Sequence, residues 1–387
     1  MQHYSTRRTD NGASVRVVSA LVFLSFTFLW LYRFQADMLA YAQHVFSHGQ
    51  THYNSLVGAI LITLVLWLLQ WGVYGLFHLR LRLHALTYYP SVVVLALLGA
   101  ICPSPSGQVT LSLWWLLLLP LTAVWGFAVV GALQFSRLER PRPLSFFSRA
   151  LWTNLLVLFV LLTGLVASNP TNAVFHYRTR VETCLAERRF ADALQVGSQS
   201  LETDASLTML RAYALSRSGL LGDRLFQYPV AGSGADLVPI DSSRSRLLRY
   251  PQDSLYRHLG AIPRPGMDTP TYLSRIERYG QATAAVRDYV LCGLLIDRRL
   301  DAFARALPRY YTVSDSLPLP RHYREALTLY THSRTNPVLE YHDAVTDEDY
   351  ADLQELESQY SDPRERHIRV KEKYQGSYWY YYEYARQ

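Results

Sequence analysis

Asp37, His44, His48 and His52 stand within one polar stretch, RFQADMLAYAQHVFSHGQTHYN at 33–54, between two apolar runs. One carboxylate and three imidazoles so close together have the chemistry to hold a metal or move a proton. On a helix, His44 and His48 share a face at i, i+4, the spacing of a metal-ligating pair. Gly49 ends such a helix, and no carboxylate stands at the offset that would complete a ligand set. The stretch is therefore expected to be an interfacial amphipathic helix with polar histidines, without metal or cofactor. Asp37 remains the weak catalytic candidate, and His44, His48 and His52 the weak binding candidates.

Other chemistry is sparse. The sequence contains no Cys-x-x-Cys, Gly-x-Ser-x-Gly, phosphate loop or dinucleotide fingerprint. Cys184 and Cys292 fall on apolar helical faces, which favours buried free thiols, with a disulfide as the alternative.

The elements that must position these residues divide into two kinds. Residues 1–168 carry ten arginines, no lysine and three acids (Asp10, Asp37, Glu139), a net +7. Residues 169–387 carry 28 basic and 28 acidic side chains, which cancel. All the net charge lies in the apolar part, so it is not the basic folded surface that nucleic acid requires. Five apolar runs, at about 17–32, 56–77, 83–101, 111–133 and 151–167, approach the ~20 residues needed to cross a bilayer. Pro90 and Pro120 fall inside two of them. Arg7, Arg8, Arg16, Arg80, Arg82, Arg137, Arg140, Arg142 and Arg149 all fall on one side of these spans; Arg33 alone falls on the other. The positive-inside rule then places the N-terminus in the cytoplasm and residues 169–387 in the periplasm, beyond the inner membrane.

The outer part is expected to be all-helical. RRFADAL at 188–194 and DRRLDAFARAL at 297–307 resemble the turn and second helix of tetratricopeptide repeats, with Phe190 and Ala193 in key places. Residues 227–254 read as an irregular Gly-, Ser- and Pro-rich insertion. Asp268 with Pro270 and Asp362 with Pro363 mark helix starts. Thr346 and Asp349 form a further capping pair. The end, GSYWYYYEYARQ, sets Tyr378, Tyr381 and Tyr382 on one helical face beside Trp379, an aromatic cap for the helical stack. An aromatic belt on the membrane is the alternative.

Two family resemblances follow from particular residues. Asp37, Tyr41, Gly49 and the His52–Tyr53 pair resemble the first outer loop of membrane glycosyltransferases that use lipid-linked sugars. That resemblance implies an acid that takes the acceptor's proton as the sugar leaves its lipid phosphate. Such enzymes carry more spans than five, and Glu139 falls on the side opposite Asp37. QADMLAYAQHVFSHGQTHY, LPRHYREALTLY and YQGSYWYYYEYA resemble a family of uncharacterised multi-pass membrane proteins from Bacteroidales, which implies no activity. The expectation is an all-α chain: a five-helix transmembrane bundle (1–168), then a tetratricopeptide-like domain (169–387). Its partners would be the lipid bilayer and an envelope protein, in a binding or scaffold role, with the transferase as the alternative.

Overall fold

The computed structural model describes residues 11–79, 81–103, 109–111, 113–136, 149–168, 173–241, 243–313 and 319–385. Arg7, Arg8, Arg80, Arg137, Arg140 and Arg142 lie outside them, as does most of the 168–172 hinge. The chain divides into two compact units, Met1–Thr171 and Asn172–Gln387. Regular secondary structure among the described residues is helical apart from one short ribbon.

Unit 1 holds α1 (Asn11–Leu29), continued by a π-turn at Trp30–Phe34, then α2 (Ala36–Phe46) and α3 (Ser55–Phe77). After a 3₁₀ segment at Leu81–Tyr88 come α4 (Tyr89–Gly99) and the strands β1 (Ile101–Pro103) and β2 (Val109–Leu111). A second 3₁₀ segment, Leu113–Leu117, leads to α5 (Leu118–Ser136), and α6 (Arg149–Ser168) closes the unit. The strands pair antiparallel, with Cys102 opposite Thr110.

Among the described residues three helices, not five, are both long and apolar enough to cross a bilayer: Ala13–Phe34, Ser55–Phe77 and Arg149–Ser168. The other two expected spans are the shorter apolar helices Leu83–Gly99 and Leu118–Gln134. The prolines account for the difference. Pro90 sits at the start of α4, and Pro120 is the third residue of α5. A ring without an N–H is tolerated in the first turn, where that N–H has no partner anyway. The residues before each proline wind as 3₁₀ segments, and the flanking ends pass into the ribbon.

Polarity in unit 1 is inverted relative to a water-soluble protein. Trp71, Phe127 and Phe159 are 66 %, 79 % and 66 % exposed, whereas Gln70 and Asn154 are 4 % and 0 % exposed. Several of the buried polar groups are paired inside the unit. Gln70 Nε2 donates to Thr87 Oγ1 at 2.8 Å, and Ser91 Oγ donates to Leu66 O at 2.7 Å. Asn154 accepts from Ala85 N–H and donates to Leu81 O, which ties α6 to the first 3₁₀ segment. Arg16, early in α1, reaches Tyr74 OH near the end of α3 at 3.4 Å, so these helices are antiparallel. At the other end, α2 lies beside β1.

Unit 2 comprises α7 (Ala173–Ala186), α8 (Phe190–Gln195), α9 (Ala205–Arg217), α10 (Leu221–Arg224), α11 (Gln252–Leu259) and α12 (Thr269–Arg278). It continues with α13 (Ala285–Ile296), α14 (Leu300–Tyr310), α15 (Arg321–Ser333), α16 (Ala344–Gln359), α17 (Pro363–Tyr374) and α18 (Tyr378–Glu383). Asp268 and Asp362 cap α12 and α17, each with proline in the first turn. The cap of α16 is Asp343, whose carboxylate accepts from Thr346 N–H; Thr346 and Asp349 both lie within that helix. Helical hairpins α7–α8 and α13–α14 pack on α9 and α15 respectively. Their turns lie at Arg188 and Arg298, far more than the ~34-residue tetratricopeptide period apart.

The irregular segment between α10 and α11 is held by buried acids. Glu182 of α7 accepts N–H bonds from Leu248, Arg249 and Tyr250 at 2.8, 2.6 and 2.8 Å. Burial raises its carboxyl above the usual range, against those three N–H groups and Arg178, which pull it down. Asp236 closes a capping box with Ser233 and accepts from Arg244 N–H. Two glycines meet needs that no other residue satisfies. A Cβ on Gly234 would lie 2.4 Å from Gly293 O, and Gly260, at φ +138°, would place one 1.9 Å from Gln281 O. Cys184 and Cys292 are buried free thiols.

Candidate functional site

The polar loop of unit 1 does not form the expected helical histidine face. Asp37 lies half-buried in the first turn of α2, and His44 lies in its last turn. The helix stops at Phe46, so His48 falls beyond it in the left-handed region at φ 50° and is exposed, as is His52. The His44 ring packs instead on Gly49, 3.2 Å from where a Cβ would stand. Among the described residues no group of three His, Cys, Asp or Glu side chains could hold a metal.

The aromatic tail forms a one-and-a-half-turn helix seated on α13 and α15. Ser377 caps α18 by accepting from Tyr380 N–H. Tyr378, Trp379 and Tyr381 are buried and Tyr382 is half-buried. The polar tips of the three buried side chains are all used. Tyr378 OH donates to Leu295 O at 3.2 Å, Tyr381 OH to Ile296 O at 2.8 Å, and Trp379 Nε1 to Glu325 O at 2.7 Å. Phe226 packs between the Tyr378 and Tyr381 rings, 5.0 and 4.7 Å from their centroids. Arg298 grips the far end. Its guanidinium lies 5.1 Å from the Tyr381 ring centre and donates to the carbonyls of Tyr381 and Ala385.

Beneath the tail, α15 carries a buried His–Glu pair. Phe226 N–H donates to His322 Nε2 at 3.2 Å, so the imidazole proton sits on Nδ1 and is donated to Glu325 Oε2 at 2.9 Å. Glu325 also accepts from Tyr378 N–H at 2.6 Å and Arg321 Nε at 2.7 Å. Burial pushes its carboxyl up, but these donors and the Arg321 charge outweigh burial and hold it below the usual range. A general base needs an open lone pair facing a substrate. Here Nε2 is taken by a backbone amide, and both side chains are buried, so the pair locks the tail in place.

Residues 268–385 match a family of unknown function, DUF6057. The match opens on the aspartate that caps α12 and ends on Ala385, whose carbonyl Arg298 holds. It covers less than a third of the chain and contains the seat of the tail apart from Phe226. No curated protein and no solved structure matches the chain.

A second concavity of unit 2 lies before the matched span. It is a cleft of about 460 Å³ at the α7–α8 turn, the end of α9 and the outer face of α11. Arg188, Arg217 and Arg257 line it, with Phe190, Tyr250 and His258, and no carboxylate does. Arg217 stacks on Phe190 at 5.0 Å and donates to Tyr213 OH at 3.2 Å. His258 Nε2 meets Ser216 Oγ at 2.8 Å. Burial, with Arg217 nearby, lowers its pKa to about 4, so the ring is neutral near pH 7.

Sequence reading missed both the His322–Glu325 lock and the arginine cleft. The lock leaves no local signature, since its partners come from residues 226, 322, 325 and 378. The cleft did leave one: an acid followed by Arg-Arg and an apolar residue, at 187–190 and again at 297–300. The sequence shows that pattern as the turn of a tetratricopeptide-like repeat; that one copy lines a cleft is decided by packing alone.

Proposed function

We propose that the chain is a multi-pass protein of the inner membrane whose unit 2 lies in the periplasm and recognises another envelope protein. The observation that carries the membrane part is the inverted polarity of unit 1. Large apolar side chains face outward while the amides of Gln70 and Asn154 are buried and paired inside, as suits a hydrocarbon solvent. Arginine asymmetry supplies the orientation. Parity makes that orientation robust: three crossings and five crossings both put unit 2 on the side opposite the N-terminus. The position of α2 beside β1 supports five, because it brings both shorter helices' outer ends to the level of the first outer loop.

The recognition part rests on how unit 2 uses its charges. Glu182, Asp236, His322 and Glu325 are buried and bound to backbone groups that hold the insertion and the tail. What unit 2 presents outward is a stack of helical hairpins with a basic cleft. Such stacks recognise other chains along their concave faces.

Alkaline phosphatase fused after residue 200 should be active. An inactive fusion, with unit 2 cleaved by protease only after spheroplasts are lysed, would reverse the topology. A photo-crosslinker at Ala186 of the full chain should give one discrete adduct in native membranes. An identical adduct pattern from position 368, on the exposed face of α17, would contradict a specific surface.

A further inference from the structure

The α7–α8 and α13–α14 turns are built alike. Arg188 and Arg298 both adopt the left-handed conformation, at φ 58° and 55°. Each is followed by an arginine at φ −90°, with ψ 69° and 64°. Arg189 N–H bonds Cys184 O at 2.8 Å, and Arg299 N–H bonds Leu294 O at 2.9 Å. Residues other than glycine rarely occupy this region, so two arginines there in matching turns mark one device used twice.

At the second turn the purpose of the device is visible. Arg298 stacks on a tyrosine ring and donates to the carbonyl end of α18. At the first turn Arg188 faces the cleft, where Arg217 and Arg257 add two guanidinium groups and Phe190 and Tyr250 add ring surface. Among the described residues none of these three arginines is ion-paired, whereas the neighbouring Arg189 is held by Glu187 and Asp192. Guanidinium groups match carboxylates in a planar, two-bond geometry, and rings beside them take an aromatic side chain.

We infer that the arginine cleft is a peptide seat: it takes the carboxylate end of a partner chain that carries an aromatic residue, where the second turn takes the Tyr381 ring and the main-chain carbonyls of the tail. This rests on the reading of unit 2 as a recognition domain and names the chemistry of its partner. A bare oxyanion would use the arginines but leave the Tyr250 wall uncovered.

The test uses the full chain in detergent micelles. The probe is a fluorescein-labelled peptide reproducing residues 377–385 with a free C-terminal carboxylate, followed by fluorescence anisotropy. Arg188→Gly suits the left-handed backbone and so preserves the turn; combined with Arg217→Gln it should weaken binding about tenfold or more, the loss expected for charged hydrogen bonds. Amidating the peptide terminus should weaken binding as well. Unchanged affinity in the double variant overturns the assignment. So does full competition by millimolar inorganic phosphate with no preference for the aromatic peptide over hexaglutamate, which would mark a plain oxyanion site. Loss on Arg298→Gly alone would place the probe in the tail's own seat and also overturn it. If the Ala186 photo-adduct persists in the double variant, the recognition reading stands while the cleft assignment falls.

Discussion

Removing the Glu325 carboxylate should unlatch the aromatic tail. Glu325→Ala leaves two donors without partners, Tyr378 N–H and His322 Nδ1–H, and both residues are 0 % exposed. Arg321 is exposed and regains its hydrogen bonds from water. Each stranded buried donor costs about 1–3 kcal/mol, so the loss is about 2–6 kcal/mol. Glu325→Gln keeps the shape and can still accept from Tyr378 N–H. Tyr378 N–H and His322 Nδ1–H bond the same oxygen, Oε2, so an amide oxygen there still accepts from both. The amide N–H groups then face only Arg321, which is exposed and turns to water. Glutamine therefore loses charge assistance but strands no buried donor, and should cost about 1–2 kcal/mol. The assay is hydrogen exchange by mass spectrometry on the full chain in micelles, following the peptide over residues 377–385. Local opening governs exchange there, and each 1.4 kcal/mol is about a tenfold change in rate. The alanine variant should therefore exchange on the order of a thousandfold faster, the glutamine variant only about tenfold faster, with residues 55–77 unchanged. An alanine variant whose tail exchanges at the wild-type rate would refute the lock. So would a glutamine variant that exchanges faster than alanine.

Gly260→Ala sets a Cβ against Gln281 O in a backbone region closed to L-residues; a loss of about 2 kcal/mol or more is expected in urea denaturation of unit 2's tyrosine signal. A wild-type midpoint would show that α11 is free to shift away from residue 281. His258 gives unit 2 a pH dependence of defined sign. Its folded pKa is about 4 against 6.5 when unfolded, so the unfolded chain takes the proton first. The stability held by the neutral ring is full above pH 6.5 and is lost as pH falls toward 4. The ring is partly exposed, so about 1–2 kcal/mol is at stake after screening. His258→Gln should flatten that part of the pH–stability curve; an unaltered slope between pH 6.5 and 4 would exclude His258 as its source.

Local features were legible because they depend on neighbours in sequence. The helical class, the apolar runs, the Asp268–Pro270 and Asp362–Pro363 starts and the irregular 227–254 segment all follow from periodicity, caps and prolines acting over a few residues. Misjudged features were those where a local signal has two outcomes. Pro90 and Pro120 suit either the interior of a kinked span or the first turn of a shorter helix, and the packing of 81–88 on α6 chose the second. His44 and His48 share a face only while the helix continues; the left-handed turn at His48 came first. The aromatic composition of the tail marked a buried surface without saying which. Its seat depends on Phe226, Arg298, His322 and Glu325, which lie about 50 to 150 residues away and meet only when the hairpins stack. The same holds for the arginine cleft: charge and spacing put an acid and two arginines at each turn, but only tertiary packing filled one turn with α18 and left the other lined by three guanidinium groups.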